Sequence, residues 1–279
     1  MYKNSITIRR LLLRFPKGSD PLIIPNQPEE SYLYIGLSLL LPYLEPYLVR
    51  SMLSAKTIIQ DEGLVKDMEA FMGQESQHHK LHIQFNCSLD LSKYEGLKEL
   101  EEKLAADYNR FSDTKSLRFN LAFAEGFEAF TLAMTRSSFQ TGMFERIQSE
   151  ARDLFRWHLM EEIEHRTVAF DVYQQISGAY FYRVCIGIFA QWHLCRFVFR
   201  VSRLMLRTEE KNCPKKFGGR WRSFQRQGYL LWLFVLYFFP KLLNTYMPWY
   251  SPYRIAMPEA ALAMAKEFTE RARSGAKLP

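Results

Sequence analysis

Cysteine is scarce. The 279 residues hold four, Cys87, Cys185, Cys195 and Cys213, and none forms a Cys-x-x-Cys pair. That excludes a disulfide scaffold and implies free thiols in a reducing compartment. Convincing strand patterns are absent, so sheet folds are excluded. Long apolar runs are absent too. The leucines at 11–13 are too few for an export signal. The longest uninterrupted run, at 229–239, has 11 residues, short of the ~20 that cross a bilayer. No nucleic-acid-binding motif is present. What remains is the composition of a folded protein: 48% hydrophobic, 15% aromatic and 24% charged, which excludes a disordered or low-complexity chain.

The formal net charge is +7, but it is unevenly spread. Residues 178–227 hold eleven Lys/Arg against two acids, a local excess of +9, so the remainder of the chain is slightly acidic. Within that belt Arg196, Arg200, Arg203 and Arg207 follow one another at helical spacing and form one stripe. Two readings compete: a solvated face of a helix packed on the rest of the protein, or a helix lying on an anionic membrane surface. Arg183, His193 and Arg196 interrupt the apolar body of the 179–207 segment and argue against its spanning a membrane.

Residues 1–35 hold four prolines and predict an extended lead-in. Helical periodicity then predicts helices over roughly 42–60, 62–86, 94–109, 113–137 and 143–176, followed by 179–207 and 258–273. Pro46 is awkward in the first and places the start of its regular part near 45. The resulting fold class is all-α: a ferritin-like four-helix bundle over 36–177, with additional C-terminal helices from 178–279 packed on it as one domain.

Histidine is also rare, six in all, and five fall in two windows. The first is Glu75-x-x-His78 with His79 and His82; the second is His158-x-x-x-Glu162-x-x-His165. On a helix each set shares one face. Two Glu-x-x-His pairs on facing helices hold two metal ions when the other two helices each add a carboxylate. Glu45 precedes Glu75 by 30 residues and Glu128 precedes Glu162 by 34, so the same helix pair occurs twice. Glu45 lies in LLPYLEPYLV and Glu128 in AEGFEAFTL; a carboxylate on so apolar a face needs a partner. Glu125 reads as a supporting group or a cap. Glu161 and Glu164 point away from the His158/Glu162 face and read as solvent or supporting groups.

Here the chain resembles a known family. GQESQHHKLHIQFN (73–86) and WHLMEEIEHRTVAFDVYQ (157–174) look like the signature segments of the predicted metal-dependent hydrolases with a ferritin-like core. LSLLLPYLEPYLVRSM (37–52) and LAFAEGFEAFT (121–131) match that family's two single-Glu helices, and the resemblance covers about 5–255. It carries over Glu45, Glu75, His78, His82, Glu128, His158, Glu162 and His165 as metal ligands. Two departures stand out. Pro46 follows the first Glu where a charged residue is usual, and Pro248-Trp-Tyr-Ser-Pro252 stands where the family tends to have Pro-x-Phe-His-Pro. The second window is also similar to the fourth helix of di-iron arylamine N-oxygenases, which implies His158 as an extra ligand.

The expectation is a centre of two metal ions, iron first, with manganese or zinc as the other candidates. Three activities follow from it: activation of O2 to oxidise a small or lipid-like substrate; hydrolysis by a metal-held hydroxide; or non-enzymatic ferritin-like metal binding. The expected location is cytoplasmic, with the arginine stripe able to meet the inner face of a membrane. A homodimer is compatible with the sequence, and no nucleic-acid partner is expected.

Overall fold

The computed structural model describes residues 5–148, 151–213 and 216–275. Its elements are α1 (Pro28–Lys56), α2 (Glu62–Ser88), α3 (Leu97–Thr114), α4 (Leu117–Thr141), the single turn α5 (Met143–Arg146), α6 (Ala151–Glu164), α7 (Val168–Ile176), α8 (Tyr180–Asn212), α9 (Gly219–Leu233), a π turn (Phe234–Phe238), α10 (Phe239–Thr245) and α11 (Glu259–Ser274). Among the described residues the only extended pairing is an isolated bridge, Ser19 to Leu89. The fold is all-α, as expected. α1, α2, α4 and the α6–α7 pair enclose the core; α8 lies across α1 and α4 on the outside.

The first helix departs from expectation. It begins at Pro28, where a proline suits the first turn, and continues through Pro42 and Pro46. The extended lead-in therefore ends before 28. A proline removes the hydrogen bond to the carbonyl four residues back, which frees the carbonyls of Ser38 and Pro42. Both find donors on α2. The Asn86 amide bonds Ser38 O at 2.8 Å, and His79 bonds the Pro42 carbonyl. The two prolines thus cost the helix little and tie α1 to α2.

The expected single helix over 143–176 is broken. A turn at 165–167 separates α6 from α7, and the Arg166 side chain caps it by donating to Ile163 O and Pro252 O. α4 starts at Leu117, four residues later than expected, and the Ser116 hydroxyl caps it by accepting from Phe119 N.

The C-terminal extension is corrected more strongly. The apolar run at 229–239 is part of a continuous helix, Gly219–Thr245, of 27 residues. Pro240 does not close it, because the π turn before it accommodates the missing donor. By length and composition three helices suffice to cross a membrane: Pro28–Lys56, Tyr180–Asn212 and Gly219–Thr245. The length argument against spanning therefore fails. The first of these is largely buried inside the bundle, whereas only 17% of the apolar window in Gly219–Thr245 is covered by protein.

α8 crosses α4 where Gly126 faces Gly187. A Cβ on Gly126 would stand 2.3 Å from Gly187 Cα, so the backbones themselves are in contact. Gly126→Ala is expected to force the helices apart and destabilise the fold by about 1–3 kcal/mol, read as a lowered thermal midpoint. An unchanged midpoint would show that the crossing is looser than this.

Candidate metal centre

Four helices aim side chains at one point. α1 supplies Glu45, α2 Glu75 and His78, α4 Glu128, and α6 with the following turn His158, Glu162 and His165. All seven are buried. Three sets bring ligand atoms within 4.8 Å of one another: Glu45, His78 and His158; Glu75, His78 and Glu162; Glu75, Glu128 and His165. The sets chain into two adjoining pockets. Glu162 reaches into both, one oxygen 2.9 Å from His158 Nε2 and the other 3.4 Å from His165 Nε2. Glu75 does the same, 3.8 Å from His78 Nδ1 and 3.4 Å from His165 Nδ1. Glu45 belongs to the first pocket, 3.8 Å from His158 Nε2, and Glu128 to the second, 3.5 Å from His165 Nε2.

Most of these atoms lack hydrogen-bond partners. Both oxygens of Glu45 and of Glu128, one each of Glu75 and Glu162, His78 Nδ1 and both ring nitrogens of His165 are buried without one. A native interior does not leave so many polar atoms unmet. Clustered in one place and limited to carboxylate oxygens and imidazole nitrogens, they fit the donor set of a metal centre.

The electrostatics agree. Burial, then the charge of Glu75, pushes Glu45 well above the usual carboxylate range. Burial, then the charges of Glu162 and Glu75, does the same to Glu128. Glu162 goes the other way: burial raises it, but the charge of His165 and the hydrogen bond from His158 outweigh this and hold it well below. Carboxylates crowded in an apolar interior want more positive charge than the protein provides.

The eighth expected residue, His82, stands one layer further out. Its Nε2 lies 2.8 Å from His158 Nδ1, and its Nδ1 lies 2.8 Å from the Ser38 hydroxyl. The direction of each bond follows from Asn86. The Asn86 amide donates to Ser38 O, so its oxygen accepts the Ser38 hydroxyl proton. Ser38 Oγ then accepts from His82 Nδ1 and His82 Nε2 accepts from His158 Nδ1, so His158 Nε2 would present its lone pair to a cation that displaces the proton it shares with Glu162. Burial, then the neighbouring imidazole charges of His158 and His78, keeps His82 well below its ordinary value and therefore neutral.

His78 is oriented by Glu161, which accepts from His78 Nε2 at 3.0 Å and so turns Nδ1 inward. Glu161 also accepts from Trp157 Nε1 and Arg9 Nη1, each at 2.8 Å. Arg9 in turn holds Glu164, which takes a further bond from Gln74. Glu161 and Glu164 are therefore engaged inside the protein: of the two expected readings, solvent or supporting groups, the contacts fit the second. Sequence reasoning did not find Arg9, Gln74, Ser38 or Asn86. Only the polar Ser38 and Asn86 beside the apolar ligand faces were a signal. Glu125 bonds Arg183 at 2.8 Å and is in none of the three ligand sets.

A family model described as predicted metal-dependent hydrolase matches residues 7–255. The chain belongs to that family. No curated protein and no solved structure matches it. The matched span takes in all four ligand-bearing helices, the Arg9 segment and most of the C-terminal extension. An enzyme that depends on a metal is what this membership supports, and the buried Glu/His sets are where a metal has donors.

The raised carboxylates set a pH dependence. Glu45 and Glu128 bind protons more tightly in the folded metal-free chain than when unfolded, so stability falls as pH rises above their ordinary value of 4.5. Glu162 contributes in the opposite sense below that value, and His82 and His158, lowered by burial, oppose the trend below 6.5. Above 6.5 the raised His78 and His165 act with the carboxylates, so thermal melts of the chelator-treated protein should show a midpoint that drops as pH rises above 6.5. Added divalent metal should restore it, by more at the higher pH. A metal-independent midpoint at neutral pH would argue against a cation site here.

Proposed function

We propose that the centre holds two metal ions, iron first, and that the protein uses O2 to oxidise a small or lipid-like substrate. The observation that carries this reading is the pair of carboxylates, Glu75 and Glu162, that each present one oxygen to each of two adjoining pockets. With neutral imidazoles, the four glutamates carry four negative charges, which two divalent cations balance. Glu45, His78 and His158 would hold one ion, Glu128 and His165 the other, and Glu75 and Glu162 both. A bound iron pair supplies the electrons for reducing O2.

The chain's own residues set the conditions. Glu161 keeps His78 Nδ1 turned inward, and His82 does the same for His158 Nε2. Both ring orientations are thus settled before any ion arrives, which spares the binding step that ordering cost. Phe71, Trp157 and Phe155 close around the imidazoles and keep bulk water away. The asymmetry of the two pockets, two imidazoles against one, gives them different affinities and potentials.

The family description names hydrolysis. Two features favour oxidation instead: six of the seven donors sit on helices, with His165 in the turn just after α6, and every ligand is buried, where a reaction consuming bulk water is poorly supplied. Elemental analysis decides between them. The expected result is about two iron atoms per chain, with a near-ultraviolet band that reductant bleaches and air restores. Zinc with no response to O2 would replace oxidation by hydrolysis. Iron that neither turns over nor responds would leave a metal-binding protein without this chemistry.

The ligand assignment has its own test. Glu162→Ala is expected to lose at least one ion, while Glu162→Gln, which keeps shape and one oxygen, should keep more metal than the alanine variant. A folded Glu162→Ala protein with both ions retained contradicts the assignment.

A further inference from the structure

α8 and the continuous helix α9–α10 form a hairpin that is unlike the rest of the surface. From Gly219 to Thr245 the chain buries only one stripe. Phe238 and Leu242 pack on Phe130, Ala133 and Met134 of α4, and Thr245 is covered beside them. Its other contacts are polar or at its edges: Arg226 pairs with Glu29 of α1, the Arg146 guanidinium lies over the Tyr229 ring, and Lys241 bonds Gln140. Leu231 is 62% exposed, and Trp232, Val235, Leu236, Phe239 and Leu243 are each between 43% and 52% exposed. Exposed apolar residues standing singly are ordinary, but a contiguous set on one helix marks a binding surface.

The hairpin is also polarised along its length. Toward its connecting loop it is cationic. Arg200, Arg203 and Arg207 of α8 are exposed, and none has an acidic partner among the described residues. Arg220 and Arg222 begin the returning helix, also exposed. Away from the loop the hairpin is apolar on both arms, with Phe181, Ile188 and Trp192 on α8 and the Leu231–Leu243 set on α9–α10. The arms are joined at that end, where the Tyr246 hydroxyl donates to Gln191 and Tyr180 donates to the Tyr246 carbonyl. The charged group inside the apolar arm, Lys241, is satisfied by the protein: it donates to Gln140 and to Tyr237 O.

We propose that this hairpin lays its apolar end into the surface of an anionic bilayer, with the arginines of its loop end among the headgroups. Charge selects the occupant. The belt at 178–227 has an excess of nine positive charges, and anionic headgroups answer it, whereas a second copy of this chain brings the same cations to the contact. Composition agrees: Tyr229 and Trp232 stack at the start of the apolar stretch and Trp249 is exposed beyond its end, and such amphipathic rings favour the headgroup level. The hairpin lies on the bilayer rather than crossing it. Its returning arm is fixed along α4 through Phe238 and Leu242, so it follows the protein surface instead of leaving it. The inner face of α8 is committed to α1 and α4 through Gly36 and Gly126. The proposal stands whatever chemistry the buried centre performs.

Vesicle flotation of the full-length, metal-loaded protein tests it. Vesicles are made of phosphatidylcholine alone or with phosphatidylglycerol. The chain is expected to float with the anionic vesicles, less with the neutral ones, and less as salt rises. The triple variant Leu231→Glu, Trp232→Glu, Leu236→Glu changes only exposed positions. It should keep its helical content and metal while losing about tenfold or more of its partitioning. Arg200→Ser with Arg203→Ser and Arg207→Ser should bring anionic vesicles down to the neutral level. Brominated lipid should quench tryptophan emission in the wild type. Three outcomes overturn the proposal: no flotation of the wild type; undiminished flotation of the triple variant; or a dimer in vesicle-free solution that the triple variant breaks without any lipid binding. Resistance to alkaline carbonate extraction would place the hairpin across the bilayer and equally defeat the surface reading.

Discussion

Four carboxylates held together in an apolar interior are the costliest feature of this protein, and the rest of the architecture answers to them. Glu45, Glu75, Glu128 and Glu162 are all buried. Mutual repulsion and desolvation would expel them from a simple helical bundle. What holds them is the rigidity of four long helices, each carrying its carboxylate on its inward face, with imidazoles interleaved between them. Two prolines in α1 fit the same scheme: the carbonyls they release are bonded by Asn86 and His79 from the helix that carries Glu75 and His78. A local weakness is thereby turned into a fastening between two ligand-bearing helices.

The imidazoles are not free to rotate. His78 is held from behind by a carboxylate, Glu161, and His158 by another imidazole, His82. These supports differ in kind. Glu161 is a carboxyl that also accepts from Trp157 and Arg9; His82 is a neutral imidazole and settles only orientation. The two histidines in one pocket thus differ as donors although their rings stack at 4.0 Å.

Much of this is legible in the sequence because its carriers are local. Two Glu-x-x-His pairs, each preceded by an apolar helix bearing a Glu, specify which faces meet, and helical periodicity alone finds that. What escapes lies in distant partnerships. Glu161 and Glu164 sit on the other side of α6 and read as either solvent-facing or supporting, since nothing nearby pairs with them. Their partner, Arg9, is more than 150 residues away. His82 is on the ligand face by spacing and is displaced only because His158 occupies the intervening position. The start of α1 is missed because prolines that normally interrupt a helix are compensated from α2. The length of α9–α10 is missed because a π turn carries the helix past Pro240. In each case a tertiary contact overrides a local rule.

Arg9 has one more consequence. Its guanidinium closes on Glu161 and Glu164 and also donates to Thr269 of α11, 260 residues along the chain. One side chain near the beginning therefore knits the back of the centre to the last helix. Contacts so far apart in sequence form late, because loop-closure entropy must be met before they reward it. The helices can pair and the carboxylates can gather while His78 is still unsupported from behind. The support behind His78 therefore depends on the Arg9 segment and α11 both being docked, although neither carries a ligand.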